Sequence, residues 1–544
     1  MKRISGHIID LVKRQIFDGI VSIENNHITA IEPSDNVENQ FVLPGFIDAH
    51  IHIESSMLIP SEFARQVLPH GTVACVCDPH EIANVCGIEG IDYMINDGKR
   101  SPLRFMFGAP SCVPATSMES SGAILDATDI EALLQREDIG FLAEMMNFPG
   151  VLHNDEQVAL KIKAAKNHGK PIDGHAPELS GEALNTYVNA GISTDHECTF
   201  LYEAFEKIAL GMNILIREGS AAKNLDQLMP LIRIAPHKVM LCSDDKHPDD
   251  ILQNGHIDSL VRRILNQGYD LFDTLRACSL NPIKHYKLDV GLLQVGDRAD
   301  FITLDNFRDF TILETWLNGE VVAKKGAVCY PKIASAKPIN NFHALKISAN
   351  DLEVVAKGSR MQVILVDDGS LYTKSEWVEP KIEKELVVCD LEKDILKLVV
   401  YNRYHAAKPS VAFIRNFGLK KGALASTVAH DNHNIVAIGT SDAEIANAIN
   451  ALVECKGGIV ASEHTARILL PLPIGGLMAD KDGVSIAENY EKVDAMAKRM
   501  GSTLSAPFMT LAFMSLIVIP ELKLSDKGLF DVQKFAFTSL FSND

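Results

Sequence analysis

The sequence predicts an α/β chain built on a (β/α)8 barrel of the TIM type, with a small β-sandwich domain assembled from both flanks and a C-terminal α+β domain. Three observations predict it. Between residues 43 and 288, short Val/Ile-rich apolar runs alternate with longer amphipathic stretches, the pattern of βα units around a parallel sheet. Eight such runs end near His52, Asp78, Pro110, Met146, His175, His196, Arg217 and Asp244, at an average repeat of about 28 residues, which a βαβ crossover requires. No glycine-rich phosphate turn follows the first run, which sets a closed barrel above an open doubly wound sheet.

Each element has its own signal. Residues 1–43 read as short strands and turns; Asp18 to Ile28 alternates in polarity and turns at Asn25-Asn26. The barrel takes 44–288, with helical patterns at Pro60 to Leu68, Asp155 to His168, Gly181 to Ala190 and Leu225 to Ala235. Gly71, Gly169 and Gly191 stand where a left-handed cap is wanted. Residues 289–335 return to strands and turns and complete one β domain with 1–43. From 345 to 544 strands mix with capped helices, as where Ser441-Asp442-Ala443-Glu444 opens a helix that closes at Gly457-Gly458. Met509 to Met514 reads as core. No repeat, low-complexity tract or long linker stands out.

Composition narrows the function. Lys+Arg 52 against Asp+Glu 71 leaves a formal net charge of −19. That balance offers no electrostatic footprint for nucleic acid or an anionic membrane surface, so neither is an expected partner. Ten scattered cysteines without paired modules read as mostly buried thiols in a reducing compartment. The N-terminus lacks a signal-peptide core, and the apolar run Leu511 to Ile519 is too short to span a bilayer. A cytoplasmic location is expected; a homo-oligomer is compatible with the sequence, which does not set the oligomeric state.

The chemistry starts at Asp48-Ala49-His50-Ile51-His52. Alternate side chains of a strand share a face, so His50 and His52 point the same way and can grip one ion. In a parallel barrel the working residues sit at the carboxyl ends of the strands. His50 and His52 fall at the end of strand one, Glu144 of strand four, His175 of strand five, His196 of strand six and Asp244 of strand eight. Imidazole and carboxylate donors without a thiolate suit zinc, iron or manganese, and two ions sharing a carboxylate is the preferred count. Such a pair lowers the pKa of water from about 16 toward neutrality. Asp244 would accept the water proton and pass it to the leaving group, and Glu144 would bridge the ions. Asp48 and Asp195 are candidates for fixing the ring tautomers of their neighbouring histidines, or are ordinary turn or strand-end carboxylates, the reading preferred for Asp48.

Pro44 to His52, the later histidines, the Ser243-Asp244 strand end and Gly296-Asp297-Arg298-Ala299-Asp300 in the flanking domain resemble the amidohydrolase superfamily. Within it, His52-Ile53-Glu54-Ser55-Ser56-Met57, Asp78 to Val85, Glu144 to Val151 and Val428 to Asn434 resemble the adenine deaminase family over nearly the whole chain. The resemblance implies hydrolysis of adenine to hypoxanthine and ammonia, as in purine salvage, with a manganese or iron pair and Glu144 in the bridging place where many relatives carry a carboxylated lysine. No departure is visible at the metal positions.

Superfamily members that take carboxylate substrates tend to carry an arginine two positions after the second histidine; here that place is Glu54. An acid there repels an anion and accepts a hydrogen bond from a purine N–H. Asp78, Arg217, Ser220 and Asp245 complete the substrate-binding pool, and Glu81 and His80 are the two candidates for the acid that protonates a ring nitrogen. A hydrolase of cyclic amides or N-acyl amino substrates is the alternative on the same fold; a scaffold without chemistry ranks last, because all six ligand positions are filled. His430-Asp431-Asn432-His433 admits a lid over the barrel mouth, a separate metal site, or a loop ordered by its own hydrogen bonds, and the last is the default expectation.

Overall fold

The computed structural model describes residues 1–220 and 222–542. Four strands open the chain: β1 (Lys2–Asp10), β2 (Gln15–Glu24), β3 (His27–Pro33) and β4 (Phe41–Pro44). Asn25 and Asn26 both take positive φ, 48° and 68°, to make the tight turn between β2 and β3.

Eight strands then run parallel: β5 (Phe46–Ile51), β6 (Thr72–Cys77), β7 (Arg104–Ala109), β8 (Ile139–Met145), β9 (Ile172–Gly174), β10 (Thr194–Asp195), β11 (Asn213–Arg217) and β12 (Val239–Cys242). All eight end within two residues of the positions the sequence marks. They form two hydrogen-bonded sheets, β5 to β9 and β10 to β12. The sheets meet where Ile51 bridges Asp244, and again where Gly174 N–H donates to Thr194 Oγ1 at 3.2 Å and Ala176 N–H to Asp195 Oδ1 at 2.9 Å. Ile47, Ala49, Ala74, Val76, Phe141, Ala143, Leu215 and Met240, from five of the strands, pack together in the interior. Filling a barrel in this way makes it a core and not a pore.

Gly71, Gly169 and Gly191 hold φ of 78°, 63° and 101°, the left-handed caps expected of them. The helix expected over Leu225 to Ala235 is two short pieces, Leu225–Leu228 and Leu231–Ile234. Pro230 between them has no N–H to carry the ladder onward.

Beyond the barrel, β13 (Phe301–Leu304), β14 (Ile312–Leu317), β15 (Glu320–Lys324) and β16 (Ala327–Val328) join the first four strands. The two flanks meet where β13 pairs antiparallel with β4. The expected sandwich takes the form of a single hydrogen-bonded ladder, β16-β15-β14-β13-β4-β1-β2-β3. Residues 331–348 contain no helix or strand, although the sequence shows no long linker. They form an ordered strap: Asn341 Nδ2 donates to the carbonyls of Val85 and Gly122, and His343 N–H to that of Arg403.

The C-terminal region holds a second eight-stranded sheet between Met361 and Pro471. The helix Asp442–Cys455 is capped by Ser441, whose hydroxyl accepts from Glu444 N–H, and packs Ile445, Ile449 and Leu452 on one face of that sheet. Its left-handed closing residue is Lys456, one position before the expected glycines. From the other face Leu398, Ile414, Leu424 and Ile438 share a buried cluster with Met57, Leu58, Ile82 and Val85 near the barrel mouth. No helix among the described residues is long and apolar enough to cross a membrane.

Candidate metal centre and its surroundings

The six ligand candidates converge. His50, His52, Glu144, His196 and Asp244 are at most 4 % exposed and His175 is 9 % exposed. Nε2 of His50 lies 3.2 Å from Nε2 of His52, and Asp244 Oδ1 is 3.3 Å from the second ring and 3.6 Å from the first. Glu144 divides its oxygens. Oε2 is 2.7 Å from His175 Nδ1 and 3.2 Å from His196 Nε2, while Oε1 is 3.3 Å from His52 Nε2. Donors at about 2.1 Å from a shared ion stand roughly 3.0–3.4 Å apart, so these spacings fit cations held between them. Ligand-type atoms of His50, His196 and Asp244, and of Glu144, His175 and His196, fall within 4.8 Å of one another. The donor set is nitrogen and oxygen alone, which fits a hard or borderline divalent ion.

Burial works against charge on His196, but its hydrogen bond to Glu144 and the charges of Glu144 and Asp244 lift it to about 9. Burial likewise opposes charge on Asp244, but Arg217 together with His50, His52 and His196 outweighs it and holds the carboxyl well below its usual range. Arg217 Nη1 sits 2.6 Å from Asp244 Oδ2 and its Nη2 3.0 Å from Glu197 Oε2. Arg217, expected to meet substrate, thus neutralises two site carboxylates. Glu197 escaped the sequence reading although it directly follows His196; a carboxylate beside a strand-end histidine and facing a strand-end arginine was the available signal.

The second ring of residues comes from the turns after β5, β6 and β12. His80 Nδ1 is 3.2 Å from Asp78 Oδ2 and 3.5 Å from Glu144 Oε1, and its Nε2 is 3.5 Å from Asp431 Oδ1, yet neither nitrogen makes an aligned hydrogen bond among the described residues. Asp78 also caps the turn, accepting from His80 N–H at 3.0 Å. Glu54 Oε1 accepts from Ile82 N–H at 3.1 Å, its other oxygen lacks a described partner, and burial pushes its carboxyl up to about 7. Asp245 accepts from Ser55 Oγ. Burial would raise Glu81, but the adjoining His430, His433 and His80 hold it well below the usual range.

Three expectations need correction. Ser220 is committed elsewhere: Oγ donates to Asp250 at 2.6 Å and accepts from His247 N–H at 2.9 Å, tying two barrel loops together. Asp48 is the ordinary strand-end carboxylate preferred for it: it touches neither ring beside it and accepts from His50 N–H, Ser243 N–H and Ser243 Oγ, with His256 Nε2 3.0 Å away. Asp195 likewise serves the amides of Ala176, Glu197 and Cys198 and the ammonium of Lys207 instead of His196. The segment His430 to His433 is not a self-contained loop: both histidines hydrogen-bond Glu81 across the domain boundary.

Open space adjoins the cluster in a cavity of about 170 Å³ lined by Glu197, Arg217, Tyr372 and Ile519. A larger one of about 680 Å³ shares Pro177 and Tyr372 with it and is bounded by Met146, Phe148 and Phe535.

An amidohydrolase family model matches residues 41–322, and a model of the adenine deaminase C-terminal domain matches 370–536. Proteins described as adenine deaminase are similar throughout. That of Methanosarcina acetivorans is 51 % identical over the full length of both chains. That of Salinibacter ruber is 50 % identical over 99 % of this chain and 98 % of its own, and that of Borreliella afzelii 45 % over 98 % and 99 %. With both models matched in their proper order and half of all positions shared end to end, the chain belongs to the adenine deaminase family of amidohydrolases.

Proposed function

We propose that the chain hydrolyses adenine to hypoxanthine and ammonia at the barrel mouth, in purine salvage in the cytoplasm. In this reading His50, His52, Glu144, His175, His196 and Asp244 hold a pair of divalent cations, manganese or iron, with zinc also compatible. The barrel 44–288 is the catalytic unit, residues 1–43 and 289–335 form its composite β flank, and 345–544 cover its mouth. The observation that carries the reading is the division of Glu144 between the His175/His196 side and the His52 side. When bound, such cations supply Lewis acidity that brings the pKa of water from about 16 toward neutrality.

The protein's own groups account for the protons. Asp244 Oδ1 takes the proton that water gives up as its oxygen adds to C6 of the purine. Arg217, on Oδ2, keeps that carboxylate ionised until then. His80 Nε2–H, unpaired inside the site, donates to a ring nitrogen, with Glu81 and Asp431 beside it to compensate its charge. Asp244 then returns its proton to the exocyclic nitrogen, the C6–N bond breaks and ammonia leaves. The remaining hydroxyl proton passes back to His80 as the C6 carbonyl forms. Glu54, Asp78 and Asp245 supply acceptors for the N–H groups of a neutral purine and repel anions. In a spectrophotometric assay manganese-loaded protein is expected to consume adenine with matching ammonia release; no adenine loss with manganese or iron would overturn the proposal.

A further inference from the structure

The loop Thr427–Asn434 joins two antiparallel strands of the C-terminal sheet, Ala423–Ser426 and Ile435–Gly439, and enters the barrel mouth. Its two histidines take one oxygen each of the same carboxylate: His430 Nδ1 meets Glu81 Oε1, and His433 Nε2 meets Glu81 Oε2. The tautomer of His433 follows from its surroundings. Its Nδ1 accepts from Ala429 N–H at 3.2 Å, so Nε2 carries the hydrogen and is the donor to Glu81. His430 is held by a stacked Phe513, ring centroids 4.5 Å apart at 16°, and its Nε2 has no hydrogen-bond partner among the described residues and lies 3.9 Å from Asp245 Oδ1. The loop itself is fastened on both sides: Asn432 Nδ2 donates to Glu119 Oε2 at 2.9 Å, and Tyr404 Oη donates to the Asn432 carbonyl at 2.6 Å. All four residues of the loop tip are at most 3 % exposed.

A carboxylate gripped at both oxygens by two rigid rings loses its freedom to rotate, and everything it orients is fixed with it. Glu81 Oε1 is 3.7 Å from His80 Nε2, the proton-bearing atom in the proposed reaction. We propose that His430 and His433 are positioning residues for that reaction, a clamp from the C-terminal region that aims Glu81 and through it His80, so that the barrel's site is complete only with this loop in place. The inference rests on the adenine-deaminating reading of the site.

The test uses the full-length, metal-loaded chain with His433→Phe and His433→Gln, whose amide can replace the lost donor. His433→Phe is expected to lower kcat about 100-fold, the cost of misplacing a catalytic group by about an ångström, with KM changed less than threefold and metal content and thermal midpoint near the parent's. His433→Gln is expected to recover at least tenfold of that loss. Nitrogen NMR of histidine-labelled parent protein, which needs no substrate, should show one ring protonated at Nε2 alone, its signal absent from both variants. If both variants keep kcat within threefold, or both lose it equally, the clamp is refuted. If the parent leaves adenine untouched while the NMR signature is present, the deaminase reading fails and the hydrogen bond stands.

Discussion

Arg217 Nη1 and Asp244 Oδ2 stand 2.6 Å apart, both buried, at the ends of neighbouring strands β11 and β12. One carboxylate oxygen is thereby spent on charge compensation and the other faces the histidines. Asp244→Asn should fold normally and lower kcat by about 10²- to 10⁴-fold, the range of a general acid–base contribution. Circular dichroism and steady-state adenine turnover check this; near-parental turnover would remove Asp244 from the proton path.

Arg217→Met removes the cation and leaves Asp244 and Glu197 facing each other out of water. Breaking a buried pair from one side costs roughly 3–5 kcal/mol. The loss should be largest in metal-free protein, where fewer positive charges remain, and can be read from denaturant midpoints with and without chelator.

Glu144 faces both groups of histidines, so its loss should be felt by both ion positions. Elemental analysis of protein loaded with manganese is expected to give two ions per chain, and Glu144→Ala one or none. Chelation should abolish adenine turnover in the parent, and added manganese or iron should restore it.

Glu119 supplies a pH test away from the metal ligands. Burial, then the charge of Asp431, lifts its carboxyl to about 8, although Asn432 donates to it. A carboxyl raised on folding contributes stability that is complete below its unfolded pKa, near 4.5, and is lost as pH climbs toward 8. Each unit in that window removes about 1.4 kcal/mol from this one group. Glu119→Gln, neutral throughout, should flatten the decline between pH 5 and 8 in denaturant titrations; an unchanged slope would show that Glu119 ionises normally.

The barrel was legible because its determinants are local. A strand that ends in a ligand carries its apolar run and its histidine within a few residues, and a glycine cap is visible where the chain must turn left-handed. Even the composite flank could be read, since strand-and-turn patterns sit on both sides of the βα repeats. What escaped depends on distance along the chain. His433 and Glu81 are 352 positions apart, and nothing within Val428 to Asn434 says that its side chains will be spent on another domain. Asp195 misled for the opposite reason: the side chain next to a histidine on a strand points to the other face, where the amides of Ala176, Glu197 and Cys198 lie. Glu197, directly after His196, and Pro230, inside a helical pattern, carry signals that are local in the sequence.

The unequal closure of the barrel places the two sheets on opposite sides of the ligand set. His50, His52, Glu144 and His175 belong to the five-stranded side, His196 and Asp244 to the three-stranded side. Between β9 and β10 the ladder thins to the bond from Ser193 N–H to the Ile172 carbonyl, beside side-chain bonds from Thr194 and Asp195. Ions seated there would rivet the seam shut from within, making the same atoms that drive turnover into fasteners of the wall. A chain stripped of them should part first along that line, and a protease should find the loops around His175 and His196 before any other stretch of the barrel.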